Sequence, residues 1–415
     1  MPLHRPDAVA PPNGAWLVDP ALREKYGGNV PIVLTRRTKV RLTALSALAV
    51  AASIFVAASA PAGAAVSDAP ATSPGFNGPV YAVATSGNIA YVGGEFTAAV
   101  VKGKSITRQR LAAVDMTTGA LLDWAPAADR TVRALAVDTD GSVWAAGDFQ
   151  AIVGQPRDSL AKISTAGALD PASYKISGGS PRALAVGHGR LYVVGLFTTV
   201  DGVARSNVAA IDLATKTLSS WAARTDDLVT SIAISGDRIY LGGSFHKTNG
   251  VSSTGRLIAV KRDGGGVDTG FRPQPSSIVW AVAVAGDRVY AALGGQGGRT
   301  ISYTTGGVAK WTITTDGDAQ ALAVLGSTVY IGGHFDNVCR SAATGDHGVC
   351  LDGSVSRIKL AATDLDGNLL PWAPQGNGVR GVLAMTASTA TDMIVVGGEF
   401  TTLDGTTQKR FALFD

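Results

Sequence analysis

The sequence predicts an all-β fold, a seven-bladed β-propeller of four-stranded antiparallel blades, and three observations predict it. One unit recurs along the chain: two short hydrophobic runs around a tight turn, the second ending in Gly-x-Phe, then a polar loop and a third hydrophobic run. Its phenylalanine stands at Phe96, Phe149, Phe197, Phe245, Phe335 and Phe400, with Gly295 in a degraded fifth copy. The spacings of 53, 48, 48, 50, 40 and 65 residues mark stacked supersecondary units. Five residues earlier stand Tyr91, Trp144, Tyr192, Tyr240, Tyr290 and Tyr330, with Val395 departing. Residues five apart on a strand face opposite sides, so each sheet needs a neighbour on both. Finally, 51 glycines and 18 prolines in 415 residues supply many turns, and helical periodicity is absent from the repeats.

The third copy shows the elements in order. Residues 183–186 and 191–194 alternate around His188 and Gly189, which reads as a β-hairpin. A polar loop then leads to a third strand near 208–211. Innermost strands are expected at 82–84, 134–137, 183–186, 231–234, 281–284, 321–324 and 382–385, where small residues alternate with larger ones and let strands crowd together. Fourth strands carry Trp124, Trp221, Phe271, Trp311 and Trp372. The last copy ends after its third strand, so residues near 70–78 are expected to complete it and close the ring from the N-terminal side, removing an exposed edge.

Ahead of the repeats, residues 36–65 read as a secretory signal. Arg36, Arg37, Lys39 and Arg41 precede the apolar run 42–60, and Ala62 and Ala64 frame a cleavage site after Ala64. If uncleaved, the run is long enough to anchor the chain in a membrane. Residues 1–35 read as a disordered or misassigned N-terminal extension, residues 66–75 as a flexible lead, and residues 66–415 as the propeller. The first 65 residues hold seven of the 36 basic and three of the 32 acidic side chains, leaving 29 of each. A neutral body offers no electrostatic footprint for nucleic acid. A secreted or cell-surface location follows, and Cys339 and Cys350, eleven residues apart, are expected to pair in a disulfide.

The segments GDFQAIVGQPRDSLAKIS and GLFTTVDGVARSNVAAID, with their recurring Gly-x-Phe, Gly-x-x-Arg loop and Leu-Ala run, resemble the delta-60 repeat, a domain of unknown function in secreted bacterial proteins. The paired glycines also resemble kelch repeats more weakly. The resemblance implies an extracellular propeller and brings no catalytic residues with it.

Function is sought where the copies disagree. At the entry to the first strand they carry Tyr81, Arg133, Arg182, Thr230, Trp280, Gln320 and Arg380. Before the phenylalanine they carry Glu95, Asp148, Leu196, Ser244, His334 and Glu399. In a four-stranded meander both positions share one face, which predicts a ligand face there. Trp280 and Tyr81 would stack on sugar rings, and the arginines would pair with carboxylates; the alternative is a solvated rim. The arc of Glu399, Glu95 and Asp148 with His334 would suit Ca²⁺, although no ligand spacing is visible and no cofactor is expected. The same carboxylates would serve a secreted polysaccharide-active enzyme if two lay about 5 to 9.5 Å apart. Arg108, Arg157, Arg205 and Arg357 recur at one loop position and are expected to bond loop carbonyls. Asp138-Thr139-Asp140-Gly141 and its counterpart at Asp364 read as turns. The expected role is a binding or scaffolding module for a cell-surface glycan or protein.

Overall fold

The computed structural model describes residues 65–415. The N-terminal extension and, except for Ala65, the signal segment lie outside the described residues. Within them the chain is all-β, with one short 3₁₀ turn at Asp346–Gly348, and no helix is long and apolar enough to cross a membrane.

Each repeat forms one antiparallel sheet in chain order. In the third copy, Ser180–Gly187, Arg190–Leu196, Val208–Asp212 and Thr217–Leu218 pair in succession. His188 and Gly189 turn the first hairpin, both at positive φ. The fully four-stranded expectation holds only for copies three and five. Elsewhere the fourth strand shrinks to a single bridge, Val114 with Leu121, Ile163 with Leu169, Val260 with Val267 and Thr363 with Leu369. A proline lies shortly beyond each of these bridges, at Pro126, Pro171, Pro273 and Pro371, whereas the corresponding runs of copies three and five have none. Proline has no N–H to extend a ladder. The fifth copy, degraded in motif, therefore keeps a full last strand at Ala309–Thr314.

The aromatic pattern does what its spacing requires. Tyr91 and Phe96 enter different core clusters, one on each side of their sheet. The aromatic of the second strand meets the aromatic of its own fourth segment edge to face, as in Tyr91 with Trp124 and Tyr192 with Trp221, each at 5.0 Å between ring centres. The phenylalanine of the following copy joins the same cluster, Phe149 in the first case and Phe245 in the second. Tyr174 fills the aromatic position of copy two, which the sequence reading left blank.

Residues 66–75 are not a flexible lead. Val66 N–H donates to the Tyr330 hydroxyl, Ser67 N–H to Asp415 and Ala71 N–H to Leu413, while the Trp372 indole donates to the Ser67 carbonyl. The segment runs beside Phe411–Phe414 but forms only one bridge there, Ala71 with Leu413, so the last sheet has three strands rather than four. Phe76 then packs at 4.3 Å from Phe96, and Gly75–Phe76 pairs with Ala98–Val101.

A second layer lies beyond the main sheets. The polar loop of every copy but the fifth folds into a short hairpin, and the segment leaving the preceding copy pairs with it: Ile176–Ser177 with Thr199–Val200, and Gly376 with Leu403. Arg108, Arg157, Arg205 and Arg357 brace these hairpins as expected, each bonding the carbonyl before it and one in its own fourth segment, as Arg205 does with Ala204 and Ser219. Both Asp-Gly stretches are turns, with Gly141 N–H on Asp138 and Gly367 N–H on Asp364.

Copy five lacks this hairpin, since Leu293 and Arg299 are joined by a short connection. The enlarged loop of copy six leans into the space: Gln296 reaches Gly345 and Asp346, and Thr315 bridges to Val338. Cys339 and Cys350 close that loop as a disulfide, with Cα atoms 5.1 Å apart.

Two predictions follow from this packing. A Cβ on Gly94 would collide with the Pro79 carbonyl, whereas one on Gly266 would meet nothing. Gly94→Ala should cost about 2 kcal/mol in urea unfolding, and Gly266→Ala should leave the midpoint unmoved. Replacing both cysteines by serine should cost about 3 kcal/mol and speed amide exchange at Gln296 and its neighbours.

Candidate functional site

The first-strand entry is a β-bulge in every copy. Pairing with the second strand shifts register between Val80 and Ala82, Val132 and Ala134, Pro181 and Ala183, Val229 and Ser231, Val279 and Ala281, Ala319 and Ala321, and Val382 and Ala384. The skipped residues are Tyr81, Arg133, Arg182, Thr230, Trp280, Gln320 and Leu383. A bulge leaves its extra residue unpaired and re-aims its side chain. All seven line one cavity of about 220 Å³, with Leu228 and Arg380. Copy seven corrects the sequence reading: its bulge residue is Leu383, and Arg380 comes from the loop before it. The signal was present in the triplets Val-Tyr-Ala, Val-Arg-Ala, Val-Trp-Ala and Val-Leu-Ala.

The second circle sits behind the first because the backbone pins it there. Glu95 N–H donates to the Pro79 carbonyl at 2.9 Å, Asp148 N–H to Thr131 at 2.9 Å and Glu399 N–H to Gly381 at 2.8 Å. Side chains of the two circles then pair with each other. The Tyr81 hydroxyl donates to Glu95 Oε2 at 3.2 Å. Arg133 Nε and Nη2 both reach Asp148 Oδ2, at 2.7 and 2.5 Å, and Ser180 Oγ donates to Asp148 Oδ1 at 2.6 Å. Arg380 Nη1 donates to Glu399 Oε1 at 3.0 Å.

Two guanidinium groups, those of Arg133 and Arg380, also lie over the Tyr81 ring at 5.6 and 5.8 Å, within cation–π range. Burial, then the charge of Glu95, pushes the Tyr81 hydroxyl's pKa up. Its ring is thus occupied by the protein's own cations. Trp280 is half-buried, its indole N–H donating to Asp318 Oδ2 at 3.2 Å. Thr230 Oγ1 is turned to the Gly242 and Val279 carbonyls.

Arg182 differs from the other arginines. Its nearest carboxylate oxygen is Asp148 Oδ1, at 3.9 Å, and its side chain remains 35% exposed. Burial and the like charge of Arg133 lower its pKa against the pull of Asp148. Burial alone would raise the pKa of Asp148, but the hydrogen bonds from Arg133 and Ser180 and the two arginine charges outweigh it and hold the carboxyl below its usual range.

His334 stands apart from this mouth. Its Nδ1 accepts the Asp318 N–H at 3.1 Å, and it lines a separate cleft of about 490 Å³ with Gln296, Asp316, Asp346 and His347, beneath the disulfide-closed loop. Among the described residues no group of three or more His, Cys, Asp or Glu side chains is placed to hold a metal ion.

Residues 139–172 match a family model described as a domain of unknown function (DUF5122) with a β-propeller fold. No curated protein matches the chain. Among solved structures, the WD40 β-propeller domain of Doa1 superposes with a TM-score of 0.51 at 11% identity, over 83% of this chain and 95% of that one. The computationally designed Ika8 protein gives 0.48 at 15% identity, over 83% and 98%. The fold is a β-propeller.

A depressed carboxyl pKa stabilises the fold fully above the unfolded value, about 4 for aspartate, and its contribution is lost as pH falls through the lower folded value. The stability difference between the protein and Asp148→Asn should therefore stay level from pH 7 down to about 4 and shrink below it, as read by urea unfolding.

Proposed function

We propose that the chain is a closed, seven-bladed propeller of the delta-60 type that acts outside the cytoplasm as a binding module for cell-surface carbohydrate, seated at the mouth. Closure is supported by the packing of Val80–Ser86 against both Val132–Val137 and Val382–Ser388, and by Gly397, where a Cβ would strike Val80 of the first copy. Export is supported by the signal-like segment at 36–65, and the disulfide suits an oxidising compartment.

One observation carries the binding reading. Seven bulges, alike in backbone and unlike in side chain, deliver tyrosine, arginine, threonine, tryptophan, glutamine and leucine to a single cavity. Packing explains the shared backbone but not the diversity of what it presents. Catalysis by the carboxylate arc is the weaker reading, because glycoside cleavage needs carboxyl groups free to meet the substrate, whereas Asp148 is engaged by Arg133 and Ser180, Glu95 by Tyr81 and Glu399 by Arg380.

Pull-down with cell-wall polysaccharides tests the proposal. Trp280→Ala combined with Arg182→Ala should weaken retention at least tenfold while the melting temperature is kept. Retention equal to that of the unaltered protein, or capture of protein alone, would remove the carbohydrate reading.

A further inference from the structure

The three arginines of the mouth are not equivalent, and the difference names a ligand class. Arg133 is neutralised by Asp148 through two nitrogens, and Arg380 by Glu399. Arg182 has no such partner: the oxygen 3.9 Å away already accepts from Ser180 at 2.6 Å. Its Nη1 is shielded from solvent and makes no hydrogen bond. A half-buried cation without a close counter-ion is the least stable arrangement of the three, and an anion entering the cavity would relieve it.

Two further groups in the same cavity are uncommitted. Gln320 Oε1 is shielded and accepts no hydrogen bond, so it lacks a donor. The Trp280 indole N–H is engaged by Asp318, which orients the ring without using its face, while the Tyr81 ring lies under Arg133 and Arg380. The mouth therefore offers one cation, one acceptor and one aromatic face.

Building on the carbohydrate reading, we infer that the mouth recognises one acidic sugar residue of the hexuronate class, with its carboxylate on Arg182, a hydroxyl donating to Gln320 Oε1 and its C–H face on Trp280. Arg133, Asp148 and Ser180 are positioning residues: they occupy each other and leave Arg182 as the group that reads charge.

Calorimetric titration with matched oligosaccharides ending in glucuronate or in glucose tests this on the full chain. The glucuronate form should bind at least tenfold more tightly, and Arg182→Gln should remove about 10- to 100-fold of its affinity while leaving the glucose form unchanged. Trp280→Ala should weaken both. The preference should also fall between 50 and 500 mM salt, as screening shortens. The melting temperature of Arg182→Gln should not drop, since an unpaired cation is removed. Equal binding of the two forms, or an unaffected Arg182→Gln, would overturn the acidic-sugar inference while the carbohydrate reading survives. Absence of binding by either form would end both. Arg182-dependent binding of an acidic peptide instead would overturn the sugar assignment.

Discussion

No sheet in this molecule can cover its own faces. In the copies that carry both residues, all but the fifth and the seventh, the second strand sends its aromatic to one side and its phenylalanine to the other, and both are buried only because a neighbouring copy stands there. Burying a large apolar side chain contributes roughly 1.5–3 kcal/mol, so the two anchors together hold a sheet only while both neighbours are in place. Polar ties run the same way. The indoles of Trp124, Trp221 and Trp311 donate across the boundary to Ser164, Lys261 and Leu365, satisfying the indole N–H without interrupting the apolar contact. Copy-to-copy packing is thus the unit of stability, and the N-terminal segment continues it when Trp372 bonds Ser67.

Much of this was legible in the residues because period and spacing survive translation into space. The repeat, the two-sided aromatic pattern, the hairpin turn at His188, the bracing arginines and the Cys339–Cys350 pair all depend on local chemistry at fixed offsets. The fourth strand was not legible, because hydrophobic pattern says nothing about where a ladder stops. Prolines decided that, and they made the copy with the poorest motif the one with the longest last strand. Residues 66–75 misled for a related reason. Their composition is that of a linker, but the open edge of Phe411–Phe414 gives their backbone something to bond.

The site was half legible. Comparing copies identified the variable positions, and six of the seven fall at the bulges, each followed by a small residue. Copy seven slipped because Arg380 looked like its counterparts in chemistry, while the backbone register put Leu383 at the bulge. Partner choice was beyond reach of the sequence. Arg133 and Asp148 lie fifteen residues apart, and only the bulge on one strand and the amide-pinned turn on the other bring them within 2.7 Å.

Departures from the repeat carry the most information about what the molecule does, and they differ in kind. Copy five lost a phenylalanine and a hairpin, and the losses are made good nearby: Tyr303 packs at 6.5 Å from Phe271, and the disulfide-closed loop of copy six covers the gap. These departures are structural, because each is matched by a compensating contact. Arg182 is matched only by Asp148 at 3.9 Å, through an oxygen that already accepts from Ser180, and its Nη1 makes no hydrogen bond. A charge paired this loosely is where a ligand would supply the closer partner.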